Sequence, residues 1–274
     1  MTNVVESLMD DLADVINQNG RMASSKAWIN VKKKSMNEKI VSREQIKNFA
    51  IILMLIDHII LIFPVFSGFI FELVDGLCHF TFITMIYLLV EGFFFTSSRK
   101  KYAKRLLVFA LVSQIPYCFA FTINGKYIMT GLNVIFNLLI SFIMLWLLES
   151  DIKTIIKITG VIFGLIISLF CDSSVLMSGS ALLLYYLRKK NEDLSIVFNI
   201  NCIFLSLQAY ANGGGVISCI ASSWGIIVSA IFLLGLYSGK TSGGRFNKWL
   251  FYVFYPAHLL ILGIMQRLLV LGII

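Results

Sequence analysis

The sequence predicts an all-α fold: a polytopic transmembrane helical bundle of about nine spans, with the N-terminus in the cytoplasm and the C-terminus outside. Three observations predict it. Of the 274 residues, 58% are hydrophobic and 14% charged, where a soluble domain carries about 25% charged residues. Apolar runs near the roughly 20 residues that span a bilayer recur from Asn48 to the C-terminus. The basic residues also segregate to alternate connections between those runs, as the positive-inside bias requires.

The elements follow in chain order. Residues 1–45 form a hydrophilic, basic leader without the apolar stretch of a secretory signal. Within it Val5, Leu8, Leu12, Val15 and Ile16 recur at helical spacing. That pattern predicts a short amphipathic helix ending near Gly20, an unstructured tail being the alternative. Residues 46–274 form one transmembrane domain. Its predicted spans are 48–67, 77–97, 105–123, 131–149, 154–171, 174–188, 194–211, 216–237 and 248–271. With the N-terminus inside, 21 of the 23 Lys and Arg residues fall on the cytoplasmic side, and only Lys126 and Arg267 do not. Dropping the short sixth span would move Arg188, Lys189 and Lys190 to the wrong side. The outer connections are short, and Gly213-Gly214-Gly215 suits a tight turn. Function therefore resides in the bundle.

Composition excludes several classes. The net charge of +8 comes without a basic patch interleaved with exposed aromatics, so no nucleic-acid partner is expected. Cys78, Cys118, Cys171, Cys202 and Cys219 are scattered, with no zinc-type spacing, and read as packing residues. No metal is expected. No Gly-rich phosphate loop, G-x-S-x-G or H-E-x-x-H pattern occurs.

Chemistry concentrates in few residues. Of fifteen acidic residues only Asp57 and Glu91 lie well inside spans, and all three histidines, His58, His79 and His258, do. An ionisable group at bilayer depth costs roughly 2.5–3.5 kcal/mol and usually faces a cavity that uses it. At 1.5 Å per residue, Asp57 and His258 lie at similar depth, about 14–15 Å from the cytoplasmic ends of their spans. Glu91 lies about 9 Å in, so the three are expected to share a cavity open to the cytoplasm. His79 is too far out to join them and reads as a structural or outward-facing group. Asp57 and His58 diverge by about 100°, so one of them is expected to face His258 from the neighbouring helix. Pro256 removes a helical donor below His258 and favours a kink there. The basic run Arg99, Lys100, Lys101, Lys104 and Arg105 serves topology and lipid headgroups, or alternatively the phosphates of an anionic donor.

The segment from Ile46 to His58, IKNFAIILMLIDH, resembles the opening of the TraX family of integral membrane acetyltransferases. Similar segments are Leu88 to Phe93 with Thr96, Arg99 to Tyr102, Arg105 to Leu107, Ser113 to Tyr117, and Asn133 to Phe136. Tyr237 to Lys240 and Phe251 to His258 complete the resemblance, which covers about residues 46–262. The departures are Cys78-His79 at the second span, where the family tends to have Gly-Arg, then Ile83 for Pro, and Asp172-Ser173-Ser174 for Asp-Tyr-Gly.

The resemblance implies acetyl transfer from acetyl-CoA as co-substrate, in a family named for acetylation of a pilin N-terminus. Such a transfer needs a general base, for which histidine is suited, so His58 or His258 is expected in that role, with Asp57 orienting a histidine or stabilising its imidazolium. Arg99, Lys101, Tyr102, Arg105 and Lys248 are then expected to bind the donor, Glu91 to hold a cationic partner or the acceptor, and Tyr255 to contact substrate. The acceptor is an amine or hydroxyl of a pilin-like peptide, another exported peptide or a glycan. The setting is the lipid bilayer of a bacterial inner or plasma membrane. Two rivals remain: a proton-coupled transporter or flippase, which would use the same buried groups as a relay, and a non-catalytic docking subunit. No interrupted helix pair or internal repeat supports the transporter.

Overall fold

The computed structural model describes residues 39–63, 66–121, 131–172, 174–240 and 245–271, with backbone alone at 174 and 245–249. The leader helix expected near residues 5–16, the loop carrying Lys126 and the Lys248 side chain lie outside the described residues. Among those described there are nine α-helices and no strands: α1 Arg43–Ile62, α2 Gly68–Phe95, α3 Arg99–Ala120, α4 Val134–Leu148, α5 Thr154–Ser168, α6 Ser174–Lys190, α7 Ser195–Ala211, α8 Val216–Ala230 and α9 Arg245–Val270. A π-helical turn, Ile231–Leu236, extends α8. Five stretches are long and apolar enough to cross a membrane: α1, α2, α3, Val216–Leu236 and Leu250–Val270. The chain is a helical membrane protein.

Each apolar run became a helix, and the boundaries moved where capping chemistry lies outside the run. Helix α1 starts at Arg43, five residues before its apolar run. Ser42 makes a capping box there: its Oγ accepts from the Gln45 N–H at 3.2 Å, and Gln45 Oε1 accepts from the Ser42 N–H at 2.8 Å. Charged residues in a first helical turn are tolerated because their long stems carry the charge to the membrane surface. Helix α4 is capped by Asn133, whose Oδ1 accepts from the Ile135 N–H at 3.0 Å. The same side chain donates to the Ala110 carbonyl at 2.8 Å and ties α4 to α3.

Helix α2 is central and packs on α1, α6 and α8, while α9 packs on α3 and α1. The α2–α8 crossing depends on missing side chains. A Cβ at Gly76 would lie 1.6 Å from the Ala221 carbonyl oxygen, and one at Gly225 would lie 2.2 Å from the Gly76 oxygen. Such close backbone approach is how membrane helices gain packing energy without a hydrophobic drive between them. Trp224 Nε1 adds a bond to the Leu73 carbonyl at 2.9 Å. All five cysteines are free.

Arg43, Lys47, Arg99, Lys101, Arg105, Lys189 and Lys240 lie at or near helix ends on one side of the bundle, called here the basic end, while Arg267 lies in the last turn of α9. Arg43 N–H donates to the Lys240 carbonyl at 3.0 Å, and Val41 bridges Tyr237. At the same end Glu149 accepts from Lys189 at 2.6 Å and from the Tyr185 hydroxyl, and Arg99 lies 4.0 Å away. The Lys189 ammonium and the Tyr185 hydroxyl hold the Glu149 carboxyl below its ordinary range.

Candidate functional site

His58 of α1 and His258 of α9 are both buried and meet ring to ring, His58 Nδ1 lying 2.8 Å from His258 Nε2. His258 Nδ1 lies 2.8 Å from the Phe254 carbonyl oxygen. A carbonyl only accepts, so His258 carries its proton on Nδ1. In the neutral ring Nε2 is then an acceptor, and the proton between the rings belongs to His58 Nδ1. The lone pair left over is on His58 Nε2. His258 is held by stacking on Phe254, with centroids 4.8 Å apart, and Phe121 lies edge-on to His58 at 5.7 Å.

Tyr255 stands one helical step before this pair, its ring 6.0 Å from that of His58 and 5.6 Å from that of His258. It is completely buried, and its hydroxyl makes no hydrogen bond within the described chain. A buried hydroxyl left without a partner is costly, and here it is an O–H donor beside a base.

Asp57 is turned away from the pair. It makes no hydrogen bond to either histidine, and the carboxylates that act on it are Asp75 and Asp172. The expectation that Asp57 orients a histidine is corrected: the 100° step between neighbours sends His58 to α9 and Asp57 elsewhere. His79 stays outside the pair, close to Asp75, with its Nδ1 unpartnered.

Glu91 holds a cationic partner, one of its two expected roles, but not in a cavity shared with the histidines. It is buried on α2 and accepts from Arg43 Nη2 at 2.5 Å and from the Tyr237 hydroxyl at 2.7 Å. Arg43 lies fifteen residues, about 22 Å of helix, from His58, so Glu91 does not share a cavity with the histidines. The shift arises because α1 begins at Arg43 and not at the start of its apolar run.

A separate cavity of about 360 Å³ lies at the basic end. Arg43, Lys47 and Arg105 line it, together with Tyr102, Tyr252 and Gly92, and among the described residues no carboxylate does. It runs from Phe95 to Met85 of α2, about 15 Å of helix. Its wall at Tyr252 is six residues, about 9 Å, short of His258 on α9. Tyr102 fits against the missing side chain of Gly92, where a Cβ would lie 2.9 Å from its ring. Of the five residues expected to bind a donor, Tyr102 and Arg105 line the cavity. Arg99 does not: its guanidinium covers the Phe93 ring at 4.4 Å and leans toward Glu149. Lys101 is exposed and lies off the cavity lining. Arg43, Lys47 and Tyr237 were missed by sequence reasoning. The first two sit one turn apart on α1, but as flanking basic residues they count equally well as topology signals.

The family profile described as TraX protein matches residues 42–266. The chain belongs to the TraX family. The matched stretch starts at the α1 cap and ends inside α9, so it contains both histidines and every lining residue of the cavity. A relative in Dichelobacter nodosus, "Probable fimbrial assembly protein FimC, serogroup H1", is 30% identical over 230 residues, covering 80% of this chain and 93% of that protein. No solved structure matches.

Proposed function

We propose that this TraX-family protein is a multi-pass enzyme of a bacterial inner membrane that transfers an acetyl group from acetyl-CoA to an amine or hydroxyl acceptor. The observation that carries the reading is the buried His58–His258 pair, its free lone pair on His58, set about 9 Å of helix beyond a cavity whose charged lining is Arg43, Lys47 and Arg105. The name of the Dichelobacter relative favours a pilin-type peptide as acceptor.

The cavity fits part of an anionic donor. Its volume is at the small end of the roughly 300–1,000 Å³ usual for ligand sites, enough for one section of a long molecule. Arg43 and Arg105 suit phosphate oxygens because a guanidinium offers several fixed donors. Tyr102 and Tyr252 offer flat apolar walls. The donor supplies an acetyl thioester. His58 Nε2 takes the proton that the attacking amine or hydroxyl loses as it bonds the acetyl carbon. His58 then returns that proton to the sulfur as the carbon–sulfur bond breaks. His258 Nε2 holds the His58 Nδ1 proton throughout and fixes the ring. The Tyr255 hydroxyl is the donor available to the oxyanion.

Incubation of the purified protein with acetyl-labelled acetyl-CoA and membrane extract tests this. Label transfer with thiol release, lost in His58→Gln, is expected. Absence of both in a folded, monodisperse preparation would overturn the proposal.

A further inference from the structure

Tyr237 to Lys240 and Glu91 have no task in that scheme, yet they are built into the wall behind the cavity. The loop is laced to the segment before α1. Val41 N–H donates to the Leu236 carbonyl at 3.0 Å, Ser238 N–H donates to the Val41 carbonyl at 2.9 Å, and Arg43 N–H donates to the Lys240 carbonyl at 3.0 Å. The Ser238 hydroxyl also donates to the Val41 carbonyl at 3.0 Å. Gly239 closes the loop at φ +68°, a conformation open to glycine, and a Cβ there would lie 3.9 Å from Glu91 Oε1. Beyond the loop, Lys39 Nζ donates to the Leu234 carbonyl of the π-helical turn at 2.7 Å.

All of this converges on one side chain. Arg43 lines the cavity, and its Nη2 is fixed to Glu91 Oε2, the same oxygen that takes the Tyr237 hydroxyl. Its Nε is buried and has no hydrogen-bond partner. The edge that carries Nη2 and Nε is turned to Glu91, and the rest of the guanidinium lines the cavity, where it can receive an acceptor oxygen from outside the chain. The arrangement also lowers the entropy lost on binding, because a free arginine would give up its rotamers to make the same bond. Glu91 does not spoil the site's charge: it neutralises one of three cations, and Lys47 and Arg105 remain on the lining.

We propose that Glu91 and Tyr237 are positioning residues, which hold Arg43 so that the part of its guanidinium facing the cavity meets a phosphate oxygen of the donor. This rests on the acetyl-CoA reading above. Glu91 accordingly touches neither acceptor nor reacting atoms. The loop from Tyr237 to Lys240, remote in sequence from α1, completes the donor site.

The test measures binding of coenzyme A, without acetyl or acceptor, to the full chain in nanodiscs by calorimetry. Steady-state kinetics with acetyl-CoA run alongside. Tyr237→Phe deletes only the hydroxyl and should weaken coenzyme A binding about tenfold, the scale of one hydrogen bond to a charged group. KM should rise with it, and kcat should change far less. Glu91→Gln should act in the same direction. Combined with Arg43→Ala, Tyr237→Phe should add nothing to the single loss, since it acts only through Arg43. Wild-type affinity in Tyr237→Phe, or full additivity with Arg43→Ala, would overturn the positioning role. Arg105→Ala separates the two levels. If it weakens binding while Tyr237→Phe does not, the donor site stands and the latch falls. If wild-type protein binds no coenzyme A, the donor reading falls and the latch with it.

Discussion

The sharpest expected outcome concerns which histidine is the base. The Phe254 carbonyl, 2.8 Å from His258 Nδ1, fixes the direction of every proton in the pair. His58 Nε2 holds the free lone pair, and His258 serves to hold the other edge of the His58 ring. The two histidines should therefore respond differently to glutamine. In His58→Gln no base remains, and acetyl-CoA turnover should fall by about 10²–10⁴, the scale of a lost general base. In His258→Gln the amide oxygen can reach roughly the place of Nε2 and still accept from His58 Nδ1. Only the quality of one neutral hydrogen bond changes, worth about 0.5–1.5 kcal/mol, so turnover should fall by about tenfold or less. His258→Leu removes the acceptor and leaves the His58 N–H buried and unpaired, at about 1–3 kcal/mol. It should fall between the other two. The assay is thiol release from acetyl-CoA by purified variants, each checked for monodispersity and unfolding temperature. If His258→Gln is as inactive as His58→Gln, or if His58→Gln retains turnover, the proton assignment is wrong.

Other outcomes follow from the same geometry. Arg105→Ala should raise the acetyl-CoA KM several-fold with little change in kcat, because phosphate contacts are alike in ground and transition states. Arg99→Ala, whose guanidinium lies over Phe93 and beside Glu149, should leave KM within about twofold of wild type; equal effects in the two variants would place the donor elsewhere. Gly76→Ala must force α2 and α8 apart, since its Cβ would lie 1.6 Å from backbone. Overpacking typically costs about 1–3 kcal/mol, so a clear drop in unfolding temperature in nanodiscs is expected, and an unchanged value would contradict the crossing. For the membrane orientation, a cysteine at Gly214 should react with an impermeant reagent in intact cells, and one at Asn191 only after permeabilisation; reaction of Asn191 in intact cells rules out the nine-span, N-in arrangement.

The residues that could be read from sequence differ in kind from those that could not. Apolar runs named the helices, because burial in lipid leaves backbone no alternative to intrahelical bonding. The same logic flagged His58 and His258, since a costly buried group needs a partner and equal depth on two spans supplied one. What it could not decide was rotation. Whether Asp57 or His58 faces α9 depends on how α1 turns against its neighbour, which packing fixes and periodicity does not, so Asp57 was expected at a histidine and is found under the influence of Asp75 and Asp172. The cavity at the basic end was obscured for a different reason. Arg43, Lys47, Arg99 and Lys101 all satisfy the positive-inside bias equally, and that shared role hides which of them also faces inward. Ser42 and Gln45 hold the information, because the capping box they form starts α1 a full turn before its lipid-facing run. That extra turn carries Arg43 to Glu91 and separates the Glu91 cluster from the histidines by about 22 Å of helix. Two sites then share one bundle without sharing a cavity. Changes at the basic end should act on donor affinity, and changes at the histidines on the chemical step.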